Sequence, residues 1–365
     1  MYPLPNEDRK VSSYFVFYLI HTMQVGVGIL GFERYIAKSA GHNAWISILT
    51  SGVTILALIW ISYRILNKGN NDIVAIHRQV FGKWLGGLLS IYFILYYAMF
   101  VLVIIRTYTE VIQVWMFPDI YHWVILMIII IISYSYVTGG FRVVTGIALL
   151  GVIYGLPLFL IKYFPLKEAN YGNLLPLFDI SAKQLYTSSK DMTLNFLGFE
   201  TLLMFYPFIK NPQKSEKWAH FAILFSVFVY LFTMLVSLVY FNQEQLKTTI
   251  WPTLTLWKIV NLAIVERFEY VGISIWFFII LPNLCIGLWC SSRGMNRLFP
   301  KITQRTSLRL ISVLILIVAV CFKDRQQIDL LNTIVSKIGF YTIYFYLPAL
   351  LIIQFIIMKV KKNDL

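Results

Sequence analysis

The chain has 365 residues, 59% of them hydrophobic and 13% charged, with a net charge of +14 and a mean hydropathy of +0.72. Soluble domains carry about 25% charged residues, so this composition excludes one. The positive charge is not a nucleic-acid footprint either, because no basic stripe with interleaved aromatics stands clear of the apolar runs.

Apolar stretches near twenty residues recur along the whole length, and about twenty is what a bilayer core of ~30 Å requires of a helix. Ten such spans are predicted: 12–32, 44–66, 84–112, 120–137, 142–164, 186–209, 217–241, 268–292, 306–323 and 335–358. The first is too long for a signal peptide and lacks a small-residue cleavage site after it, so it reads as a retained span. The sequence therefore describes an all-α polytopic membrane protein, read as one permease-like domain over 1–365.

Span 1 contains HTMQVGVGILGF, with Gly26, Gly28 and Gly31 and the polar His21, Thr22 and Gln24 at membrane depth. Its glycines fit a dinucleotide-binding pattern literally. That pattern carries meaning only after a strand, inside a βαβ unit and with an acidic residue about twenty positions on. None of these holds here, so the match is dismissed.

After span 2, residues 71–81 place Ile73, Ile76, Val80 and Phe81 at helical spacing behind Asp72, which predicts a capped loop helix. Span 3 carries Tyr96 and Tyr97 midway, able to wall a pocket, and Arg106 and Glu110 one turn apart. Intramembrane charges face the protein interior, so Arg106 and Glu110 are expected to pair along the helix face. Span 6 repeats the anomaly of span 1: Asn195-Phe-Leu-Gly-Phe-Glu200 puts a polar residue, a glycine and a charge in mid-span. After span 7, Leu254 to Val265 reads as a helix following Pro252. Trp251 and Trp257 there fit an interfacial aromatic belt. Trp276 and Asn283 in span 8 are weaker pocket candidates.

These features divide the chain into halves of five spans, about 12–164 and 186–358. Each half has an interrupted first span and a helix-bearing loop after its second, on opposite faces. An inverted repeat predicts this arrangement, and such folds bind ligands where broken helices meet near the membrane midplane. Non-helical backbone at that depth is tolerated only when buried in protein or lining a cavity. The amides near Gly28–Leu30 and Gly198–Glu200 would then face a shared site suited to a carboxylate, since helix N-termini carry partial positive charge. Close helix packing at small residues is the alternative for a single glycine-bearing span; two interruptions at matching places favour a site. Its expected lining is Gly26, Gly28, Ile29, Gly31, Tyr96, Tyr97, Asn195, Phe196, Gly198, Phe199 and Glu200. Glu200 could meet a ligand amine, take part in proton coupling or pair with Arg106.

With an even span count both ends share one side, and 18 of the 31 Lys and Arg fall in the connections on that side. Both termini are therefore expected in the cytoplasm. Three cysteines and five scattered histidines give no disulfide framework and no metal-ligand spacing, and no cofactor motif is present.

The runs Gly26-Val-Gly-Ile-Leu-Gly31, Gly41-His-Asn-Ala-Trp-Ile-Ser47, Asn195-Phe-Leu-Gly-Phe-Glu200 leading to Tyr206-Pro-Phe-Ile-Lys-Asn-Pro212, Ile250-Trp-Pro-Thr253 and Val265-Glu-Arg-Phe-Glu269 resemble the spore-germination permease family. These are the B subunits of germinant receptors, a branch of the amino acid–polyamine–organocation superfamily. The resemblance implies a LeuT-like bundle in the spore inner membrane, beside a larger A subunit and a lipoprotein C subunit. It implies binding of a germinant such as an amino acid, a sugar or a nucleoside. An amino acid is the expected ligand. The competing reading is a proton- or sodium-coupled amino-acid permease. A membrane enzyme is disfavoured, because no nucleophile–base pair, metal set or phosphate loop is present.

Overall fold

The structure is a computed structural model that describes residues 3–262 and 265–363. Seven helices are long and apolar enough to cross a membrane, span 4 (His122–Thr138) falls one residue short, and spans 1 and 6 are broken into pieces. Together these give the ten predicted spans. Two isolated bridges, Val11 with Ile209 and Leu262 with Val265, are the β contacts among the described residues.

The boundaries differ from expectation where charge hides a helix. Span 1 does not end at 32. Its first half, Phe15–Gln24, is followed by a 3₁₀ turn, Val27–Leu30, and by a second half, Phe32–Ala40. Glu33, Arg34 and Lys38 lower the hydropathy of that second half, yet Glu33 is fully buried. Span 6 is also in pieces: Ala182–Asp191, Thr193–Phe196, a 3₁₀ turn at Phe199–Thr201, and Leu202–Phe205.

The capped loop helix forms as predicted, with the Asp72 carboxylate accepting from the Ala75 amide at 3.0 Å. It runs on into span 3 as one helix, Ile73–Trp115, interrupted only at Gly82, where φ is +75°. The loop helix after Pro252 is shorter than expected. It covers Pro252–Trp257, and Ala263 and Ile264 of the expected stretch lie outside the described residues. Trp251 and Trp257 are buried there, with the Trp257 ring 5.8 Å from that of Trp276, so neither belongs to an aromatic belt.

Span 8 (Phe268–Leu298) is the most enclosed of the long spans and packs on spans 3, 5 and 9, while span 1 packs on spans 7 and 5. Polar clamps gather the connections on two faces. On one, Arg297 donates to the carboxylate of Asp72 at 2.7 Å, to Asn71 Oδ1 at 2.7 Å and to the Pro3 carbonyl at 3.0 Å. The Tyr63 and Ser215 hydroxyls meet at 2.7 Å, and the Val11 amide donates to the Phe208 carbonyl on the same face. On the other face, Asn43 donates to the Pro176 and Asp179 carbonyls, and Arg325 pairs with Glu110 at 2.8 Å. A chain that crosses ten times must alternate its connections in this way.

Sidedness is directly testable. Cys285 and Cys290 are buried while Cys321 is exposed, so a Cys321→Ser background is silent to an impermeant maleimide. Cysteines introduced at Lys214 and at Tyr171 are then expected to react from opposite sides of the membrane. Reaction of both from one side would break the ten-span arrangement.

Candidate functional site

The two interruptions touch. A Cβ added at Gly28 would lie 2.3 Å from Asn195 Oδ1, and one at Gly26 would lie 2.5 Å from Asn283 Nδ2. Gly198, at φ +109°, holds its Cα against Met23, whose Cβ and carbonyl lie 2.8 and 3.0 Å from a would-be side chain. A side chain at Gly198 is refused twice, by the left-handed backbone and by the neighbouring main chain.

Breaking a helix inside protein frees backbone groups that must find partners. Here side chains supply them. The Tyr230 hydroxyl lies 2.7 Å from the Gln24 carbonyl and 3.4 Å from that of Asn195. Gln24 Nε2 donates to the Phe196 carbonyl at 3.2 Å, and Thr253 donates to the Ile29 carbonyl at 3.1 Å or to the Glu33 carboxylate at 2.7 Å. Thr201 Oγ1 donates to the Gly198 carbonyl at 2.6 Å. Spans 1, 6 and 7 and the loop before span 8 are thereby tied at one depth.

Between the interruptions lies a cavity of about 420 Å³. Its floor carries Gln24, Gly26, Gly28, Asn195, Tyr230 and Asn283. Gln24 Oε1 and Asn283 Oδ1 are buried and have no hydrogen-bond partner among the described residues. Three carboxamides and a tyrosine make this floor polar but uncharged, able both to donate and to accept. Charges of both signs stand at the mouth. Arg325 pairs with Asp329 at 2.9 Å, reaches the Tyr35 hydroxyl at 3.1 Å and stacks over the Trp251 ring at 4.8 Å. Lys190, Asp191 and Lys337 complete that rim.

The expected site residues therefore separate. Gly26, Gly28, Gly31 and Asn195 line the cavity. Ile29 points the other way, into a separate apolar cavity of about 210 Å³ that it shares with His21 and Trp276. Phe196 and Phe199 are fully buried, Phe196 with its ring edge-on to Tyr230 at 5.5 Å.

Glu200 does not reach the cavity. Its carboxylate accepts from the Tyr96 hydroxyl at 2.5 Å and from the Gly198 amide at 2.8 Å, while Tyr97 donates to its carbonyl at 3.0 Å. The amide expected to face a ligand carboxylate is thus taken by the chain's own carboxylate, and Tyr96 and Tyr97 dock this assembly on span 3. Arg106 pairs with neither Glu200 nor Glu110; it donates to the Phe322 and Lys323 carbonyls beyond span 9. Glu110 instead takes Arg325. Spacing along one helix cannot reveal such partners, because they arrive from the link after span 9 and from the first residue of the helix that follows it.

Asn283, a weaker pocket candidate from the sequence, does line the cavity, and Gln24, outside the expected lining, carries the same signal of a carboxamide inside an apolar span. Tyr230 carries none, because tyrosine is abundant here and its role comes from span 7 packing against both breaks.

The model of the family described as "Spore germination protein" matches residues 10–328. The chain belongs to that family. Spore germination protein GerQB of Bacillus cereus is 43% identical over 355 residues, covering 97% of this chain and 98% of its own. Spore germination protein YndE of Bacillus subtilis is 24% identical, covering 94% and 96%. A Na⁺-coupled sialic acid symporter, solved in a substrate-bound outward-open state, superposes with a TM-score of 0.67 at 11% identity, over 91% of this chain and 77% of that one. Mhp1, a nucleobase-cation-symport-1 family transporter in a closed conformation with bromovinylhydantoin bound, gives a TM-score of 0.62 at 12% identity, over 93% and 78%. At such identities the likeness is one of fold, and it places this germination protein among LeuT-like bundles with broken spans 1 and 6. The family is permease-like and not enzymatic.

The Glu200 assembly makes a prediction. Glu200→Ala strands the Gly198 amide and the Tyr96 hydroxyl in a buried setting, each at about 1–3 kcal/mol. Together they are expected to cost about 2–6 kcal/mol in thermal unfolding of the purified protein and to lower its abundance in the membrane. Glu200→Gln, which can still accept from the Gly198 amide, should cost less than half as much. Equal, small effects of both would show that the assembly does not hold the break.

Proposed function

We propose that the chain is the membrane-embedded sensing subunit of a germinant receptor, taking a small nutrient molecule into the cavity between spans 1 and 6 and passing its occupancy on as a change in those breaks. The observation that carries this reading is the convergence of both interruptions, with unpartnered Gln24 and Asn283 oxygens, on one cavity. An uncharged amide floor beneath a rim bearing charges of both signs suits a small zwitterion, and an amino acid is the ligand we favour. Gly26, Gly28 and Asn195 would contact it. Gly198, Glu200, Tyr96 and Tyr97 would hold the break and act on the ligand only through it.

The reading places the protein in the spore inner membrane with both termini cytoplasmic. It would work with a larger A subunit and a lipoprotein C subunit. Membership of the germination family supports the setting, and the basic face around residues 64–83 and 293–309 supports the orientation. The symporter-like fold favours a second reading, in which the same cavity serves as the site of a proton- or sodium-coupled permease.

Gly28→Ala presses directly on the Asn195 amide. Spores carrying it should need about tenfold more germinant for the same response, a loss of ~1.4 kcal/mol, at unchanged protein abundance by immunoblot. Adding Asn195→Ala should make matters no worse than Asn195→Ala alone, because the two changes act on one contact. Normal sensitivity in Gly28→Ala would remove the cavity from germinant recognition. Uptake of labelled germinant into proteoliposomes separates the two readings: binding without accumulation favours a sensor, and gradient-driven accumulation favours a permease.

A further inference from the structure

On the face clamped by Arg297, spans 2 (Ala44–Gly69) and 10 (Arg325–Asn363) part to leave an open groove of about 690 Å³. Its two walls are unlike. Leu351 and Phe355, with Ile352 and Ile356, lie at i,i+4 spacing and present one apolar face of span 10. Arg64 and Lys68, also i,i+4, present two cations from the last two turns of span 2, with Asn67 beside them on the lining.

The cations are held by aromatic rings. Lys68 Nζ sits 4.3 Å from the Phe355 ring centroid, and the Arg64 guanidinium lies 4.9 Å over Trp60. Neither has a carboxylate in ion-pair contact among the described residues. The groove edges are fixed, since Gln354 Nε2 donates to the Ile65 carbonyl at 3.2 Å across the two spans.

Long basic side chains lay their stems on apolar surface and keep their charge at the membrane boundary. Two of them facing the apolar wall of an open groove match a molecule with a negative head and a hydrocarbon tail. We propose that this groove binds one anionic phospholipid of the surrounding bilayer, its phosphate between Arg64 and Lys68 and an acyl chain along Leu351 and Phe355. Basic pockets between transmembrane helices hold anionic headgroups through this chemistry, and guanidinium–phosphate hydrogen bonds are among the stronger ones. A helix of another protein fits less well. Helix–helix contacts in membranes favour small residues, whereas this wall offers Ile352 and Phe355, each about 60% exposed.

The test uses the full chain in detergent, with native mass spectrometry against added phosphatidylglycerol or phosphatidylethanolamine. One phosphatidylglycerol per chain should be retained in preference to phosphatidylethanolamine. Replacing both Arg64 and Lys68 by Gln should cut that retention about tenfold. The control pair Lys301→Gln with Arg305→Gln, which removes the same charge from the same face, should not. Ile352→Trp, which fills the groove and leaves both cations in place, should also abolish the preference. Equal retention of the two lipids, equal loss in the charge control, or undiminished binding in Ile352→Trp would each overturn the proposal. So would recovery of another protein's helix cross-linked at Ile352 in place of lipid.

Discussion

Every feature of the centre of this molecule follows from one constraint. Backbone amides and carbonyls released at membrane depth must be paired inside the protein, because lipid offers them nothing. Two of the ten spans are interrupted, and their loose groups are answered by Tyr230, Gln24, Thr253, Thr201 and Glu200. The positions of spans 3 and 7 and of the loop before span 8 are therefore set by the interruptions, and not only by apolar packing. The cavity is the space these satisfied breaks leave open between them.

Glycine permits the arrangement for two distinct reasons. Gly198 stands in left-handed backbone against the Met23 main chain, so its substitution would dismantle the contact between the breaks. Gly28 and Gly26 have only the tips of Asn195 and Asn283 to meet. Their role is to let those amides approach, which tunes the floor of the cavity without building the fold. Close packing and the shaping of a cavity are thus not alternatives in this chain. The residue that packs, Gly198, and the residues that shape the floor, Gly26 and Gly28, are neighbours in space with different duties.

Much of the fold was legible because its signals are local. Ten apolar runs, the Asp72 cap and the polar, glycine-bearing interruptions in spans 1 and 6 can be read without knowing what lies beside them. The second half of span 1 was hidden because Glu33, Arg34 and Lys38 mimic a loop. Yet Glu33 is buried and accepts from Thr253 at 2.7 Å and from Ser237 at 3.2 Å. A charge in such a stretch marks an exposed connection only if no distant residue receives it. The candidate site was half legible for the same reason. Gly26, Gly28, Gly31 and Asn195 announce themselves along the chain, whereas Tyr230 and the Arg325 rim reach the cavity through tertiary packing. Glu200 was misplaced because adjacency to a break suggests access to the cavity, while its carboxylate turns back to the Gly198 amide.

On the function proposed above, the breaks in spans 1 and 6 respond to a ligand as one unit. Hydrogen exchange of the detergent-solubilised protein, with and without a nutrient to which spores carrying it respond, reads this most directly. Amides over 26–31 and 195–201 should gain protection together, with little change in spans 4 and 9, which lie outside the cavity lining. Protection confined to one break, or arising only in regions away from both, would contradict it.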